Sequence, residues 1–276
     1  MAARPAVYGH AVGDFVRRFA FAPRYGPEEA LSLVTADGVA LSGARLAGPP
    51  DAFATVVLVH GLVQSSRTPR IHAFARLLAR SVHVVVPELR GHGRSGGLCS
   101  LGREEPLDVD AAVRAARGGA GADLPVVTVG LSLGGASVLL HAGTFGGVAG
   151  VVAISAPARW DTWDTPATIR VRRSVGSPFG RFLLTRLLQT RVATTLEAVP
   201  DAREIVAAIA PAFTLVVHDP ADHYFGEEHA HTLLAWAREP KDLWWVPGAG
   251  HGTDLLSPAL ADRLVADLRR RLSAVQ

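Results

Sequence analysis

The chain has 276 residues, 49% of them hydrophobic, and no long Ser/Pro/Gly linker interrupts it. This size and composition predict a single domain over residues 1–276 that buries one large core and carries an inserted cap segment over residues 156–211. The 28 basic and 25 acidic residues give a net charge of only +3. No basic run alternates with aromatic residues, which argues against nucleic acid as a partner.

The first 24 residues mix charged side chains with apolar ones. No apolar stretch among them is long enough for a signal peptide or a membrane span, so we predict a cytoplasmic protein without stable membrane insertion. Cys99 is the only cysteine, and no partner that would activate a thiol flanks it. We therefore interpret Cys99 as structural. No feature of the sequence points to a particular oligomeric state.

Two β-prone runs, residues 31–35 and 39–46, flank an Asp37-Gly38 pair, which predicts an antiparallel hairpin. The apolar runs that follow are too short for helices and do not alternate with polar residues, which is typical of buried parallel strands. They cover residues 55–59, 82–86, 125–129, 148–154, 213–217 and 243–246. Helix-like stretches supply the crossovers between such strands, and they cover residues 71–80, 107–116, 136–142, 227–238 and 258–272. The pattern predicts an α/β fold with a doubly wound, mostly parallel sheet.

Residues 156–211 depart from this alternation of strands and helices because the interval is much longer than an ordinary connection. We predict a mostly helical cap, with aromatic and leucine side chains that form its core or line a pocket. These side chains are Trp160, Trp163, Phe179, Phe182, Leu183, Leu184, Leu187 and Leu188. Six arginines cluster between Thr168 and Thr194, namely Arg170, Arg172, Arg173, Arg181, Arg186 and Arg191. We favour a solvated helix face for Arg181, Arg186 and Arg191 over a phosphate-binding role.

Ser132 is the candidate nucleophile. It lies in the sequence Gly130-Leu131-Ser132-Leu133-Gly134, between a predicted strand and a predicted helix. A sharp turn at this point exposes the serine oxygen and directs the helix N-terminus at the reacting carbonyl, while the two glycines avoid clashes in the strained turn. Residues 93–97 fit the same Gly-x-Ser-x-Gly pattern. Ser95 follows a loop rather than a strand, however, so we predict that it is not a nucleophile.

A serine nucleophile needs a base, an acid that orients the base, and N–H donors for the oxyanion. In open α/β sheets such groups gather beyond the carboxyl ends of the strands. His251, between two glycines after the last predicted strand, is our candidate base, and Asp222 is our candidate acid. Asp219 is the alternative acid because it lies nearer the preceding strand. We assign the oxyanion hole to the N–H groups of Leu62 and Leu133.

The other histidines have simpler interpretations. His60 follows a predicted strand, where a histidine more often holds a loop by hydrogen bonds than transfers a proton. A metal site could be built from His218, His223, His229 and His231 with the neighbouring aspartates. On a helix, however, positions two residues apart point in different directions, and no two histidines have the i, i+4 spacing of a zinc site. We expect no metal and no cofactor.

Four stretches together resemble the α/β-hydrolase superfamily, in particular its serine esterases and lipases. They are residues 60–62, 87–95, 130–135 and 248–252, and the resemblance runs from about residue 31 onward. The serine, acid, histidine order of that superfamily is matched by Ser132, Asp222 and His251. The sequence departs from the family pattern at Glu88, where an aspartate is usual, and at Asp219, where a glycine is usual.

The resemblance implies hydrolysis of a carboxylic ester with an apolar acyl group, through an acyl-enzyme on Ser132, in a small-molecule substrate. A thioesterase or acyltransferase that acts on acyl-coenzyme A or carrier-bound acyl groups is an alternative, in which Arg170, Arg172, Arg173 or Arg181 contacts the phosphates. A non-catalytic ligand-binding protein on the same fold is a third reading. Carbon–carbon bond hydrolysis and perhydrolysis use the same residues, whereas Ser132 disfavours reactions that need an aspartate nucleophile.

Overall fold

The computed structural model describes residues 28–119, 121–159, 163–196, 199 and 202–274. Its eight strands form one sheet. They are β1 (Glu28–Val34), β2 (Ala40–Leu46), β3 (Thr55–Val59), β4 (His83–Pro87), β5 (Val126–Leu131), β6 (Gly150–Ile154), β7 (Phe213–His218) and β8 (Lys241–Trp245). Their order across the sheet is β1-β2-β4-β3-β5-β6-β7-β8. β1, β2 and β4 pair antiparallel, and all pairs from β4 to β8 are parallel.

Eight α-helices are described between and after these strands. They are α1 (Pro69–Leu78), α2 (Glu105–Arg117), α3 (Leu133–Phe145), α4 (Pro166–Gly176), α5 (Pro178–Leu188), α6 (Ala202–Ala207), α7 (Glu227–Trp236) and α8 (Pro258–Ser273). A 3-10 turn, Gly252–Asp254, precedes α8. Within the part of the chain that the structure describes, no helix is both long and apolar enough to cross a membrane.

The sheet is covered on both faces, which explains why its central strands are apolar along their whole length. Every residue of β3, β5, β6 and β7 is buried. Along β3, Val57 and Val59 pack into one hydrophobic cluster with residues of α2, α3 and α7, whereas Val56 and Leu58 pack into another with residues of α1 and α8. Successive side chains of a strand point to opposite faces, so both clusters draw on the same strands. The predicted doubly wound α/β fold is confirmed.

The predicted hairpin is also confirmed. β1 and β2 pair antiparallel around the Asp37-Gly38 turn, where Gly38 has a φ of +83°, a left-handed conformation that favours glycine. The carboxylate of Asp37 accepts hydrogen bonds from the Arg90 guanidinium at 2.8 and 3.1 Å. The turn is thus attached to the loop that follows β4.

Most strand boundaries differ from the prediction by one to three residues, and two of these differences are extensions of β5 and β8. β5 continues two residues beyond residue 129, because Gly130 and Leu131 still pair with the last two residues of β6. Ser132 is therefore the first residue after the strand. β8 begins at Lys241 rather than at residue 243, since its first residues pair with Thr214 and Leu215 of β7. Cross-strand pairing thus extends these strands past the apolar runs that indicate them.

The segment between β6 and β7 contains α4, α5 and α6. Of the aromatic and leucine residues predicted to form a cap core or line a pocket, Leu184 is buried, whereas Phe179, Phe182 and Leu187 are 71%, 53% and 67% exposed. Trp160 lies outside the described residues. The chain after α5 is attached to the loop after β4, because the N–H of Cys99 donates to the carbonyl of Arg191 at 2.8 Å. The boundaries of a cap at residues 156 and 211 stay a prediction.

Candidate active site

Ser132 lies in a strained turn between β5 and α3. Its φ of 51° and ψ of −115° are rare for a residue with a side chain, and such strain is typical of functional turns. A Cβ at Gly130 would overlap the carbonyl oxygen of Gly134, and a Cβ at Gly134 would overlap the carbonyl oxygen of His60. The turn therefore needs glycine at both positions, for the steric reason that the sequence indicates.

The structure brings Ser132, His251 and Asp222 into one chain of hydrogen bonds. Ser132 Oγ lies 2.9 Å from His251 Nε2, and His251 Nδ1 lies 2.7 Å from Asp222 Oδ2. With a neutral imidazole protonated on Nδ1, the Nδ1–H donates to the carboxylate and the serine hydroxyl donates to Nε2. The three residues belong to separate segments, 119 and 29 residues apart, that meet at the carboxyl edge of the sheet.

Asp222 is held as a carboxylate. Burial alone would raise its pKa, but the hydrogen bond and charge of His251 hold the pKa below its ordinary value. The N–H groups of Tyr224 and Phe225 contribute as well, because they donate to Oδ1 at 2.8 and 3.3 Å. Its side chain is fully buried. One carboxylate oxygen thus faces the imidazole while the other is fixed by the backbone.

Asp219 has a different position from the one expected of a triad acid. Its Oδ2 accepts from the N–H of Gly250 at 2.5 Å, and its Oδ1 accepts from the N–H groups of Ala221 and Gly248 at 2.9 and 3.3 Å. Although burial acts to raise its pKa, these N–H donors lower the pKa overall. The structure places Asp222, and not Asp219, against His251. Asp219 instead fixes the turn that leads into the histidine.

The predicted oxyanion residues lie at the same site. Leu62 and Leu133 both line the cavity that contains Ser132 and His251. Leu133 is the first residue of α3, and N–H groups of the first helical turn have no partner within the helix. The backbone of Gly61 lies against the serine turn, since a Cβ there would be 3.3 Å from the Cβ of Ser132. Val63 has a φ of 58°, an unusual value for a β-branched residue.

Gln64 connects two parts of the site, although no sequence motif indicates this residue. Its Oε1 accepts from the N–H of Gly61 at 3.0 Å, and its Nε2 donates to Thr253 Oγ1 at 3.4 Å. One side chain therefore joins the turn after β3 to the segment that follows His251. The only indication in the sequence was that Gln64 lies two residues after Leu62, a predicted oxyanion residue.

His60 is buried next to the site and is fixed in one tautomer. Its Nε2 accepts from the N–H of Leu89 at 3.0 Å, so the ring proton resides on Nδ1 and is donated to the carbonyl of Gly61 at 2.8 Å. Both ring nitrogens are thus engaged with the backbone of two loops. Desolvation lowers the pKa of His60 to about 4.

We expect the His60 imidazole to stay neutral between pH 5.5 and pH 8, because its pKa of about 4 lies below that range. The ring resonances in a heteronuclear NMR titration should not move over this interval, and the nitrogen shifts should indicate a proton on Nδ1. A midpoint near pH 6.5, the ordinary histidine value, would contradict the assignment.

Ser95 and Glu88 form a structural cluster outside the cavity. Ser95 Oγ accepts from the N–H of Ser42 at 3.0 Å and donates to the carbonyl of Glu88 at 2.5 Å. The Glu88 carboxylate accepts from Ser66 Oγ at 2.8 Å and from the N–H of Arg94 at 2.7 Å. These contacts connect β2 with the loop after β4. They give Ser95 and the unusual Glu88 a role in holding that loop.

Two of the histidines considered as metal ligands instead contact the backbone. His218 Nε2 is 2.9 Å from the carbonyl oxygen of Phe225, and His229 Nδ1 accepts from the N–H of Ala158 at 3.0 Å. Over the described ranges, no cluster of three or more His, Cys, Asp or Glu residues is arranged to hold a metal ion. Cys99 is buried, and desolvation raises the pKa of its thiol, which suits a structural residue.

Ser132 opens into a cavity of about 140 Å³. Most of its side chains are apolar, namely Leu62, Val63, Leu101, Leu133, Trp163, Val171, Tyr224 and Phe225. Thr168 and Val171 bring α4 into the wall, and the Tyr224 ring lies 4.3 Å from that of His251, centroid to centroid. A mostly apolar cavity with a few convergent polar groups is the usual form of a small-molecule site.

The six clustered arginines do not line this cavity. Arg181 donates to the carbonyl of Val175 at 2.9 Å, and Arg191 donates to the carbonyl of Ser95. These two half-buried side chains therefore support the local fold rather than form a solvated face. Arg186 is exposed, with its guanidinium 5.7 Å from the centre of the Phe182 ring. The arginine that does line the cavity is Arg159.

A mostly parallel sheet with helices on both faces and a strained serine turn at its carboxyl edge defines the class. The chain belongs to the alpha/beta hydrolase family, whose model matches residues 56–271. The resemblance noted in the sequence is thereby confirmed. The chain is 29% identical to an uncharacterized protein, YfhR, of Salmonella typhi over 245 residues, which cover 82% of this chain and 77% of that protein. It is 27% identical to YfhR of Escherichia coli K12 over 240 residues, which cover 82% and 76% of the two chains.

Solved structures share the fold. The esterase Pf2001 of Pyrococcus furiosus superposes with a TM-score of 0.70 at 18% identity, covering 90% of this chain and 97% of the esterase. A putative lipase, lip1, of Acinetobacter baumannii AYE gives 0.69 at 18% identity and covers 100% of both chains. The esterase RhEst1 of Rhodococcus sp. ECU1013 gives 0.64 at 21% identity, covering 90% and 99%.

Proposed function

We propose that this protein is a serine hydrolase that cleaves carboxylic esters with an apolar acyl group through an acyl-enzyme on Ser132. The observation that carries the proposal is the hydrogen-bonded chain Ser132–His251–Asp222 at the base of an apolar cavity. Proteins of similar fold that are named as esterases, such as Pf2001 and RhEst1, support this reaction class. Residues 156–211 serve in this proposal as the cap over the cavity, with α4 as one wall.

In the acylation step, His251 Nε2 takes the hydroxyl proton of Ser132 as Oγ forms a bond to the ester carbonyl carbon. The N–H groups of Leu62 and Leu133 donate to the oxyanion that develops on the carbonyl oxygen. Asp222 keeps the imidazole in the tautomer that accepts this proton and stabilises the imidazolium that forms. When the intermediate collapses, the C–O bond breaks and the imidazolium gives its proton to the leaving alcohol.

In the deacylation step, water attacks the acyl carbon after losing a proton to His251. The tetrahedral intermediate expels Ser132 Oγ, which recovers a proton from the imidazolium, and the carboxylic acid leaves. The protein is thereby returned to its starting protonation state. The apolar wall of the cavity favours acyl chains over water, because each buried methylene contributes about 0.8 kcal/mol to binding.

We expect kcat/KM for p-nitrophenyl esters to rise by up to about fourfold per added acyl methylene until the cavity is filled. The factor corresponds to a free energy of about 0.8 kcal/mol for moving one methylene from water into the cavity. Turnover from acetate to dodecanoate, measured by release of p-nitrophenol, gives this profile. A rate independent of chain length would contradict an apolar acyl site. Absence of turnover across the whole series would contradict the esterase proposal itself.

Thioester hydrolysis or acyl transfer is the second candidate, and the position of Arg159 in the cavity wall favours it. An arginine there can donate two hydrogen bonds to a phosphate of coenzyme A or of an acyl carrier. Phosphate recognition by Arg159 is tested by comparing the kinetics of the Arg159→Gln variant with those of the Arg170→Gln variant, at an exposed position, on acyl-coenzyme A. A selective rise in KM for Arg159→Gln that disappears at high salt supports phosphate recognition, and equal kinetics of the two variants contradict it.

A further inference from the structure

One face of α5 exposes large apolar side chains to solvent. Phe179, Phe182 and Leu187 are 71%, 53% and 67% exposed, and the three-residue spacing of Phe179 and Phe182 places those two rings on the same side of the helix. Leu184 lies on the other side and is buried. Single exposed apolar residues are normal on a protein surface, but a cluster on one 11-residue helix marks an interaction surface.

The same region is strongly basic. Residues 165–196 contain six arginines and no acidic residue, so they carry +6 in a chain whose net charge is +3, and the rest of the chain carries −3. Arg170, Arg172 and Arg173 of α4 are exposed. Arg186 of α5 is exposed as well, and it lies beside the exposed Phe182 ring. Positive charge is therefore concentrated around the apolar face of α5.

The two helices form one compact corner. Ser177 ends α4 and begins α5, and its hydroxyl accepts from the N–H of Gly180 at 2.9 Å. A Cβ at Gly180 would overlap the carbonyl oxygen of Ser174, so the first turn of α5 packs closely on the last turn of α4. The exposed arginines of α4 and the exposed apolar residues of α5 therefore lie on two adjoining helices, and together we call them the α4–α5 surface.

We propose that the α4–α5 surface binds to an anionic phospholipid bilayer. Phe179, Phe182 and Leu187 would enter the boundary between headgroups and acyl chains, and the exposed arginines would lie among the phosphates. A basic helix with exposed phenylalanine and leucine has the composition of a segment that lies on a membrane, and each arginine near an anionic leaflet adds attraction. This binding goes beyond the proposed hydrolase activity and does not depend on it.

The exposure of the apolar side chains favours a bilayer over an acidic carrier protein as the partner of this surface. Two phenylalanines and a leucine that project from a convex helix can enter a soft interface directly, whereas a protein partner has to supply a matching groove. The geometry also relates the surface to the candidate site, because Thr168 and Val171 on α4 line the cavity next to Ser132. A bilayer bound at the α4–α5 surface would therefore lie close to the wall of that cavity.

Co-flotation with vesicles tests the proposal. The probes are phosphatidylcholine vesicles and vesicles that contain 30% phosphatidylglycerol, and the protein is the full chain and its Ser132→Ala variant. We expect both proteins to float with the anionic vesicles and at least tenfold less with the neutral ones. Because the Ser132→Ala variant cannot form an acyl-enzyme, its flotation separates this proposal from the proposed function.

Two pairs of variants locate the surface. Phe179→Ser with Phe182→Ser removes apolar contacts from α5, and Val34→Ser with Phe145→Ser is the control because those residues are exposed elsewhere. Arg172→Gln with Arg173→Gln lowers the charge of α4, and Arg80→Gln with Arg238→Gln lowers the net charge equally at other exposed positions. We expect a fivefold or larger loss of vesicle binding in each surface pair and less than twofold in each control pair.

The variants are also compared for turnover of a soluble ester and for thermal unfolding, which should match the wild type. No vesicle binding by the folded wild-type protein would overturn the proposal. Equal losses in surface and control pairs would also overturn it, because net charge or general hydrophobicity would then explain the binding. Tight binding of an acidic acyl carrier protein at the α4–α5 surface, without vesicle binding, would replace the bilayer with a protein partner.

Discussion

Ser132→Ala is expected to lower kcat/KM for p-nitrophenyl esters by about 10⁴-fold or more. In the proposed mechanism the change removes the oxygen that forms the acyl-enzyme, and removal of the nucleophile from a triad leaves only the contribution of the oxyanion hole and substrate binding. A fluorophosphonate probe should label the wild-type protein once and leave the variant unlabelled, and mass spectrometry should place the label on Ser132.

Ser95→Ala is the matched control because Ser95 occupies the other Gly-x-Ser-x-Gly sequence. It loses the hydrogen bonds to Ser42 and Glu88, so the free energy of unfolding should fall by about 1–3 kcal/mol while the folded protein keeps its activity. Loss of activity in folded Ser95→Ala, or equal turnover by Ser132→Ala and wild type, would contradict the assignment of the nucleophile. A folded wild-type protein that resists the probe would favour the non-catalytic alternative.

Asp222→Asn is expected to lower kcat by about 10⁴-fold with little change in KM. An amide at this position can donate to Nδ1, which stabilises the tautomer that cannot accept the serine proton on Nε2. The shape of the side chain is retained, so the loss should be kinetic rather than structural. Steady-state kinetics with thermal unfolding of the same samples measures both effects.

Asp219→Asn is the control for the competing acid. It keeps one oxygen acceptor but weakens the bonds from the N–H groups of Gly248 and Gly250, so the turn before His251 should loosen. We expect no more than about a tenfold loss of kcat and a fall of about 1–3 kcal/mol in the free energy of unfolding. A larger kinetic loss in Asp219→Asn than in Asp222→Asn would reverse the assignment of the acid.

The architecture was predictable from the sequence because it depends on a local pattern of residues that repeats along the chain. Short apolar runs separated by amphipathic stretches specify a sheet covered on both faces, and residues 55–59 of β3 were delimited without error. The turn at Ser132 was also predictable, since the strand, the helix and the small residues that the turn needs are adjacent in the chain. The antiparallel start of the sheet followed from the Asp37-Gly38 pair for the same reason.

Other features depend on contacts between distant segments, which composition and spacing do not reveal. The sequence favoured Asp222 over Asp219 only through the family resemblance, because both residues follow the same strand and the distance to His251 is a property of the folded chain. The hydrogen bond from Gln64 to Thr253 joins residues that are 189 positions apart. The exposure of Phe179 and Phe182 depends on which side of α5 packs inward, and both sides of that helix carry apolar residues.

The bridge of Gln64 between Gly61 and Thr253 has a consequence for the order of folding. A partly folded chain in which β3 and β5 have paired can already contain the serine turn, but the imidazole and its supporting loop join only when β8 has paired with β7. Such an intermediate lacks the imidazole base that the proposed reaction of Ser132 with an ester requires. In a refolding experiment, the proposed esterase activity should therefore return no earlier than the pairing of β8 with β7, and it should lag behind the return of helical signal.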